Sequence, residues 1–194
     1  MRIFIAVVIL IVSLQSWTKA DDIRDFEIQG MSIGDSLLDH FSLSEIKSKP
    51  ETNTYIYPNS DKYILWNSKD TKIKLGKFDG IQFHYKLSDT KYKIEAIDAH
   101  IHFFNNIQDC YPKKKEIYND IVKLFPNINA SNENIIHQLN KDSKVEQSSW
   151  QFGSGHFLLL ECYDWSPTMP YGDKLSLSIT SYSLNDWISN KAYK

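Results

Sequence analysis

Ile81-Gln82-Phe83-His84-Tyr85-Lys86-Leu87, followed after the loop Ser88-Asp89-Thr90 by the run Tyr92 to Phe103, decides how this chain folds. Apolar residues at 81, 83, 85 and 87 alternate with polar ones at 82, 84 and 86, the period-two pattern of a strand with one buried face. The second run changes phase. Tyr92, Ile94 and Ala96 share one side in its first half, and Ile97, Ala99, Ile101 and Phe103 in its second. A one-residue slip turns every side chain to the other face, so one extra residue near Ala96 repairs the pairing and a β-bulge is expected there.

Working outward toward the N-terminus, Tyr55-Ile56-Tyr57 and Tyr63 to Trp66 read as short strands among turn-forming Asn, Ser, Asp and Pro. Asp25 to Gly30 reads as another. Asp35 to Phe41 and Ser42 to Lys49 read as two short helical turns, the second opened by a Ser42/Glu45 capping box and closed by Pro50. Toward the C-terminus, Ile117, Ile121 and Leu124 recur at helical spacing between Pro112 and Pro126, with Cys110 on the buried side. A weaker helix is expected over Asn132 to Leu139, capped by Ser131. Trp150 to Phe152 and His156 to Tyr163 form a second hairpin around Gly153-Ser154-Gly155. Leu175, Leu177 and Ile179, alternating with Ser176, Ser178 and Thr180, give a half-buried strand. Ser183 is expected to cap a last helix carrying Leu184, Trp187 and Ile188. Hairpins outnumber any βαβ unit, so the expected fold is α+β: an antiparallel sheet built from hairpins, with short N-terminal helices, one longer helix packed on one face and a C-terminal helix.

Residues 1–20 combine Met1-Arg2, an apolar run from Ile3 to Val12 and a Thr18-Lys19-Ala20 exit, the pattern of a signal peptide cleaved after Ala20. The run is short of the roughly 20 residues a spanning helix needs, and an uncleaved N-terminal anchor is the competing reading. Residues 21–194 are then expected to form a single exported domain, periplasmic or extracellular, with no membrane span. Cleavage removes Arg2 and Lys19 and no acid, taking the formal charge from -2 to -4. Arg24 is the only arginine left, so the forked donors that read phosphate and guanine edges are missing and nucleic acid is not an expected partner. The single basic run, Lys113-Lys114-Lys115, reads as the solvated face of its helix. Cys110 and Cys162 are expected to form one disulfide, the natural use of two cysteines in an oxidising compartment, closing a loop of about 50 residues, with two independent buried thiols as the alternative. Neither has a second Cys or a His at metal-ligand spacing.

Three motifs carry possible chemistry. Gly34-Asp35-Ser36-Leu37 resembles the signature of the GDSL esterase/lipase family, which implies a serine hydrolase using Ser36. That family takes its acid and base from an Asp-x-x-His near the C-terminus, and none of the six histidines here has an aspartate three positions earlier. A hydroxyl without a base is a weak nucleophile, so Ser36 reads as a helix-start residue. Asp98-Ala99-His100-Ile101-His102 resembles the first-strand metal motif of the amidohydrolase superfamily, whose resemblance implies metal ligation by His100 and His102, with Asp98 beside them. Strand alternation does put Asp98, His100 and His102 on one polar side. That superfamily builds a (β/α)₈ barrel, however, and only 92 residues follow His102. The glutamate a cupin needs a few residues later is missing from Phe103 to Asp109. With the bulge near Ala96, His84 is expected opposite Glu95, roughly 15 Å along the strand from His100 and out of reach of a shared ion. Asn129-Ala130-Ser131 fits the N-glycosylation pattern. Tyr163, Trp165 and Tyr171, around Pro167 and Pro170, are candidates to line a ligand surface or to anchor their loop.

Gly30-Met31-Ser32-Ile33-Gly34-Asp35-Ser36-Leu37-Leu38-Asp39-His40-Phe41-Ser42, with the Cys110 helix and the closing Ser181 to Trp187, resembles a group of uncharacterised exported bacterial proteins. That resemblance implies no activity, because the group has no assigned chemistry. The Gly-x-Ser-x-Gly opening is also similar to outer-membrane assembly lipoproteins of the SmpA/OmlA type, from which this chain departs in lacking a cysteine near the signal exit. The expectation is a non-enzymatic binding or envelope-associated module that needs no cofactor. Its partner, a protein or a small ligand, would dock on one face of the sheet.

Overall fold

The computed structural model describes residues 23–47, 54–57, 62–68, 76–104, 106–137 and 140–192. Eight strands form one fully antiparallel sheet: β1 (Thr54–Ile56), β2 (Tyr63–Asn67), β3 (Gly80–Lys86), β4 (Ile94–Phe104), β5 (Ser131–Ile136), β6 (Lys144–Gln151), β7 (Phe157–Asp164) and β8 (Asp173–Thr180). Their spatial order is β1-β2-β3-β4-β8-β7-β6-β5. The sheet is thus two four-stranded meanders joined in the middle, where β4 meets β8. The α+β reading holds.

The bulge falls in the expected place. Tyr85 pairs with Ile94 and His84 with Ala96, leaving Glu95 as the extra residue on β4. His84 therefore sits opposite Ala96, not opposite Glu95 as the sequence suggested. The phase change lets both halves of β4 keep their apolar residues against a core.

One face of the sheet carries Ile64 and Trp66, Ile81 and Phe83, Ile97 and Ala99, Leu175 to Ile179, and Leu158 to Cys162, all buried at their inward positions. Two layers cover it. Over β2 and β3 lies the N-terminal segment with α1 (Leu43–Lys47), whose Phe41 ring meets Trp66 at 4.9 Å and Phe83 at 5.5 Å. The predicted capping box is present, with the Ser42 N–H donating to Glu45 Oε2 at 2.8 Å and the Glu45 N–H to Ser42 Oγ at 3.3 Å. Pro50 lies outside the described residues. Over β7 and β8 lies α2 (Cys110–Leu124), in which Pro112 occupies the first turn, where no intrahelical N–H is needed. Cys110 is bonded to Cys162 of β7, with their Cα atoms 6.0 Å apart.

The opposite face holds a smaller apolar cluster. Leu184 and Trp187 of α3 (Tyr182–Asn190) pack on Tyr57, Tyr63 and Ala96, and the Trp187 ring lies 4.9 Å from both tyrosines. Helices therefore lie on both faces rather than one. β8, read as half-buried, is buried on its serine side as well.

Three local expectations are corrected. Residues 131–136 form β5 instead of a helix: Ser131 pairs with Ser149 and Ile136 with Lys144 along a β6 that starts at Lys144, six residues before the sequence signal. The β-branched Ile135-Ile136 and partner strand outweigh the weak helical spacing. Ser181, not Ser183, is the cap of α3, its Oγ accepting from the Leu184 N–H. Around Asp25 to Gly30 there is a 3₁₀ turn at Ile23–Asp25 and an isolated bridge between Ile28 and Met31 in place of a strand.

Candidate functional site

Alternation along β3, β4, β7 and β8 sends His84, Asp98, His100, His102, Lys174, Ser176, Ser178, Glu161 and Tyr163 to the face opposite the main core. They form a polar band in the middle of the sheet, beside the α3 cluster. In the part nearer α3 the band is internally satisfied. His84 Nε2 lies 3.0 Å from Asp98 Oδ2, His84 Nδ1 lies 3.1 Å from the Tyr57 hydroxyl, and Ser178 Oγ donates to Asp98 Oδ1. Burial works against the Asp98 charge, but the contacts from His84 and Ser178 hold its carboxyl below the usual aspartate range.

Farther along, the band changes character. Glu161 is buried and accepts from the Tyr163 hydroxyl at 3.0 Å. Burial pushes its carboxyl up to about 7 despite that hydrogen bond, with the Asp98 charge adding to the rise. Lys174, whose ammonium lies 5.0 Å from the centroid of the Tyr163 ring, is pulled below the ordinary lysine value by burial, against the opposing pull of Asp98 and Glu161. His100 falls to about 4 through burial, then the charges of Lys174 and His102, so its ring is neutral at physiological pH. Its imidazole packs against Gly80, and a Cβ there would collide with it. The His100 and His102 rings meet edge to face at 4.9 Å.

Aromatic side chains rim this second part. Trp165 stacks on Tyr163 at 5.6 Å, meets Tyr171 at 4.8 Å and His137 at 4.5 Å. Phe104, 73% exposed and held at φ +54°, stacks on His102 at 6.2 Å. A bulky residue with positive φ is strained. Gly172, beside Tyr171, is where the loop backbone closes on Phe104.

The residues singled out in the sequence fare differently. Asp98, His100 and His102 do share one face, but Asp98 is engaged by His84 and Ser178. Among the described residues no group of three or more His, Cys, Asp or Glu side chains is placed to hold a metal ion. Ser36 caps a 3₁₀ turn (Leu37–Asp39): its hydroxyl donates to the Lys91 carbonyl at 2.7 Å and accepts from the Leu38 N–H at 3.1 Å. No histidine among the described residues hydrogen-bonds to it. Lys114, read as part of a solvated run, is 5% exposed and paired with Glu146 at 3.1 Å, whereas Lys115 is exposed as expected. Asn129 is exposed just before β5. Glu161 and Lys174 were not singled out. The available signal was a lone acid in the apolar run Phe157 to Cys162, and a lone lysine on the polar side of β8.

His84, Asp98 and Ser178 are the residue types of a hydrolytic triad in the wrong order. The carboxylate sits in the middle, and the histidine faces a tyrosine where the nucleophile would have to be. No protein-family model, curated protein or solved structure matches this chain.

Proposed function

We propose that this chain is an exported, non-enzymatic binding module that takes a small ligand rich in acceptor oxygens on the polar face of its sheet. One observation carries the reading. The Trp165 indole N–H is buried without a hydrogen-bond partner, and in the same part of the band the half-buried Lys174 ammonium and His100 and His102 imidazoles make no side-chain hydrogen bond among the described residues. Buried donors are normally paired, because an unmatched one costs about 1 to 3 kcal/mol. The unmatched Trp165 donor beside these half-buried polar groups is what a ligand with acceptor oxygens would complete. The exposed rings of Phe104 and Tyr171 at its border offer flat apolar surface to the same ligand.

The Cys110–Cys162 bond supports export, since such bonds persist in oxidising compartments, and residues 1–20 supply a signal. Among the described residues no helix is long and apolar enough to cross a membrane. Amino-terminal sequencing of the exported protein should begin at Asp21; a start at Met1 would favour the anchored form. For the ligand, a thermal-shift screen with small carboxylates and phosphates should yield stabilising compounds whose effect disappears in Lys174→Met. A screen without stabilisers, or stabilisation that survives in Lys174→Met, would remove the reading.

A further inference from the structure

The helix α2 lies on the other face of the sheet, and its residues Tyr111, Lys114, Lys115 and Tyr118 follow the i, i+3, i+4, i+7 spacing of one helical stripe. That stripe faces the outer strands β5 and β6, where Asn132, Asn134, Glu146 and Ser148 occupy the positions turned toward the helix. Packing logic would put apolar residues on both surfaces and close the gap. Here both are polar, and a cleft of about 500 Å³ stays open between them. Ligand clefts fall in the range of about 300 to 1,000 Å³. The cleft is held in shape covalently, because the disulfide fixes the start of α2 to β7 one residue before Tyr111.

Its chemistry is specific. Lys114 is 5% exposed, yet only one hydrogen bond satisfies its three donors, the contact with Glu146 Oε1 at 3.1 Å. Ser148 donates to Asn132 Oδ1 at 2.6 Å, which leaves the Asn132 NH₂ group as a donor. The Asn134 carboxamide has no side-chain partner among the described residues and offers both a donor and an acceptor. Inside the cleft Lys114 and Glu146 pair with each other, and Glu133, on the alternate side of β5, bonds to Ser131, which leaves exposed Lys115 as the one further charge beside it among the described residues. Two phenol rings complete the helical wall. The geometry points to a binding site for a neutral saccharide, whose hydroxyls both donate and accept and whose ring carbons stack on tyrosine. This site is on the opposite face from the polar band and does not depend on it.

The test is a glycan array bearing neutral and acidic oligosaccharides, probed with the exported, disulfide-bonded protein. Neutral glycans should be retained, and Asn134→Ala and Lys115→Ala should each weaken retention about tenfold. Both positions are exposed, so a thermal melt like that of the wild type will show that the variants fold. Lys174→Met should bind glycan as the wild type does. Titrating a retained glycan should move amide resonances in Tyr111 to Tyr118 and in β5. An array with no retained glycan, retention confined to acidic glycans, or undiminished retention by both variants overturns the assignment. So does protection of the β5 amides by an added extended peptide in the absence of glycan retention, which would give the cleft to peptide instead.

Discussion

The two faces of β4 and β8 share one backbone and differ in what alternate residues bring to it. On one side Ile97, Ala99, Leu177 and Ile179 are buried in continuous apolar packing. On the other, Asp98, His100, Ser176 and Ser178 lie in a polar band. The apolar face gains stability in proportion to area removed from water and is indifferent to direction. The polar face depends on direction, because each buried donor needs its own acceptor. Within the band the difference recurs at smaller scale. His84, Asp98 and Ser178 answer one another, whereas Lys174, His100 and His102 do not. The answered part is scaffold; the unanswered part is where a ligand is expected.

Breaking the apolar side should have the largest effect. Replacing Cys110 and Cys162 together by alanine releases a loop of 52 residues and should cost about 4 kcal/mol, read from denaturant unfolding. Unchanged midpoints would mean that α2 is held by packing alone.

The next effect comes from the polar side and depends on pH. Glu161 has its folded value raised by burial from 4.5 to about 7, so the folded state holds a proton that the unfolded chain releases. The stability linked to that proton is full below about pH 4.5 and is lost as pH rises through about 7. Glu161→Gln keeps an acceptor for the Tyr163 hydroxyl and removes the titration. The variant should match the wild type at low pH and exceed it above neutrality by about 3 kcal/mol. Asp98 acts with the opposite sign. Its folded value is lowered, so its contribution is present above the ordinary aspartate range and fades on acidification. A difference between variant and wild type that does not vary with pH would show that Glu161 stays in one protonation state throughout.

The smallest effect belongs to Ser36, away from both faces. Ser36→Ala removes a helix cap and should cost about 1 kcal/mol. Fluorophosphonate labelling of the exported protein should be the same with and without the substitution. Label present in the wild type and absent from Ser36→Ala would restore the hydrolase reading and overturn the capping role.

Most of the sheet was legible because hairpins announce themselves, by period two at Ile81 to Leu87 and by the Gly153-Ser154-Gly155 turn before the apolar run that starts at Phe157. The Glu95 bulge was legible for the same reason, since the phase change in β4 has no other repair. What failed was the edge. β5 has the sequence Ser131-Asn132-Glu133-Asn134-Ile135-Ile136, polar on both sides, because an outer strand is largely exposed and obeys no alternation. The site was half legible: His84, Asp98, His100 and His102 were visible as polar residues on strands. Their partners Ser178, Lys174 and Glu161 come from the second meander, and which strands adjoin is a property of topology that local pattern does not contain. Lys114 was misjudged for a related reason, since nothing in a triple-lysine run says which member turns toward the sheet.

The strand order has a consequence in time. The chain emerges from its N-terminus, so His84, Asp98, His100 and His102 are made with the first meander, and Glu161 and Lys174 only with the second. β8 is the last of the described strands to be synthesised, yet it lies at the centre of the sheet. No nascent chain that stops short of β8 can therefore assemble the band. A truncated product would carry the first meander with its polar residues facing no partner strand. Pairing of β8 between the two meanders and assembly of the polar band are the same event.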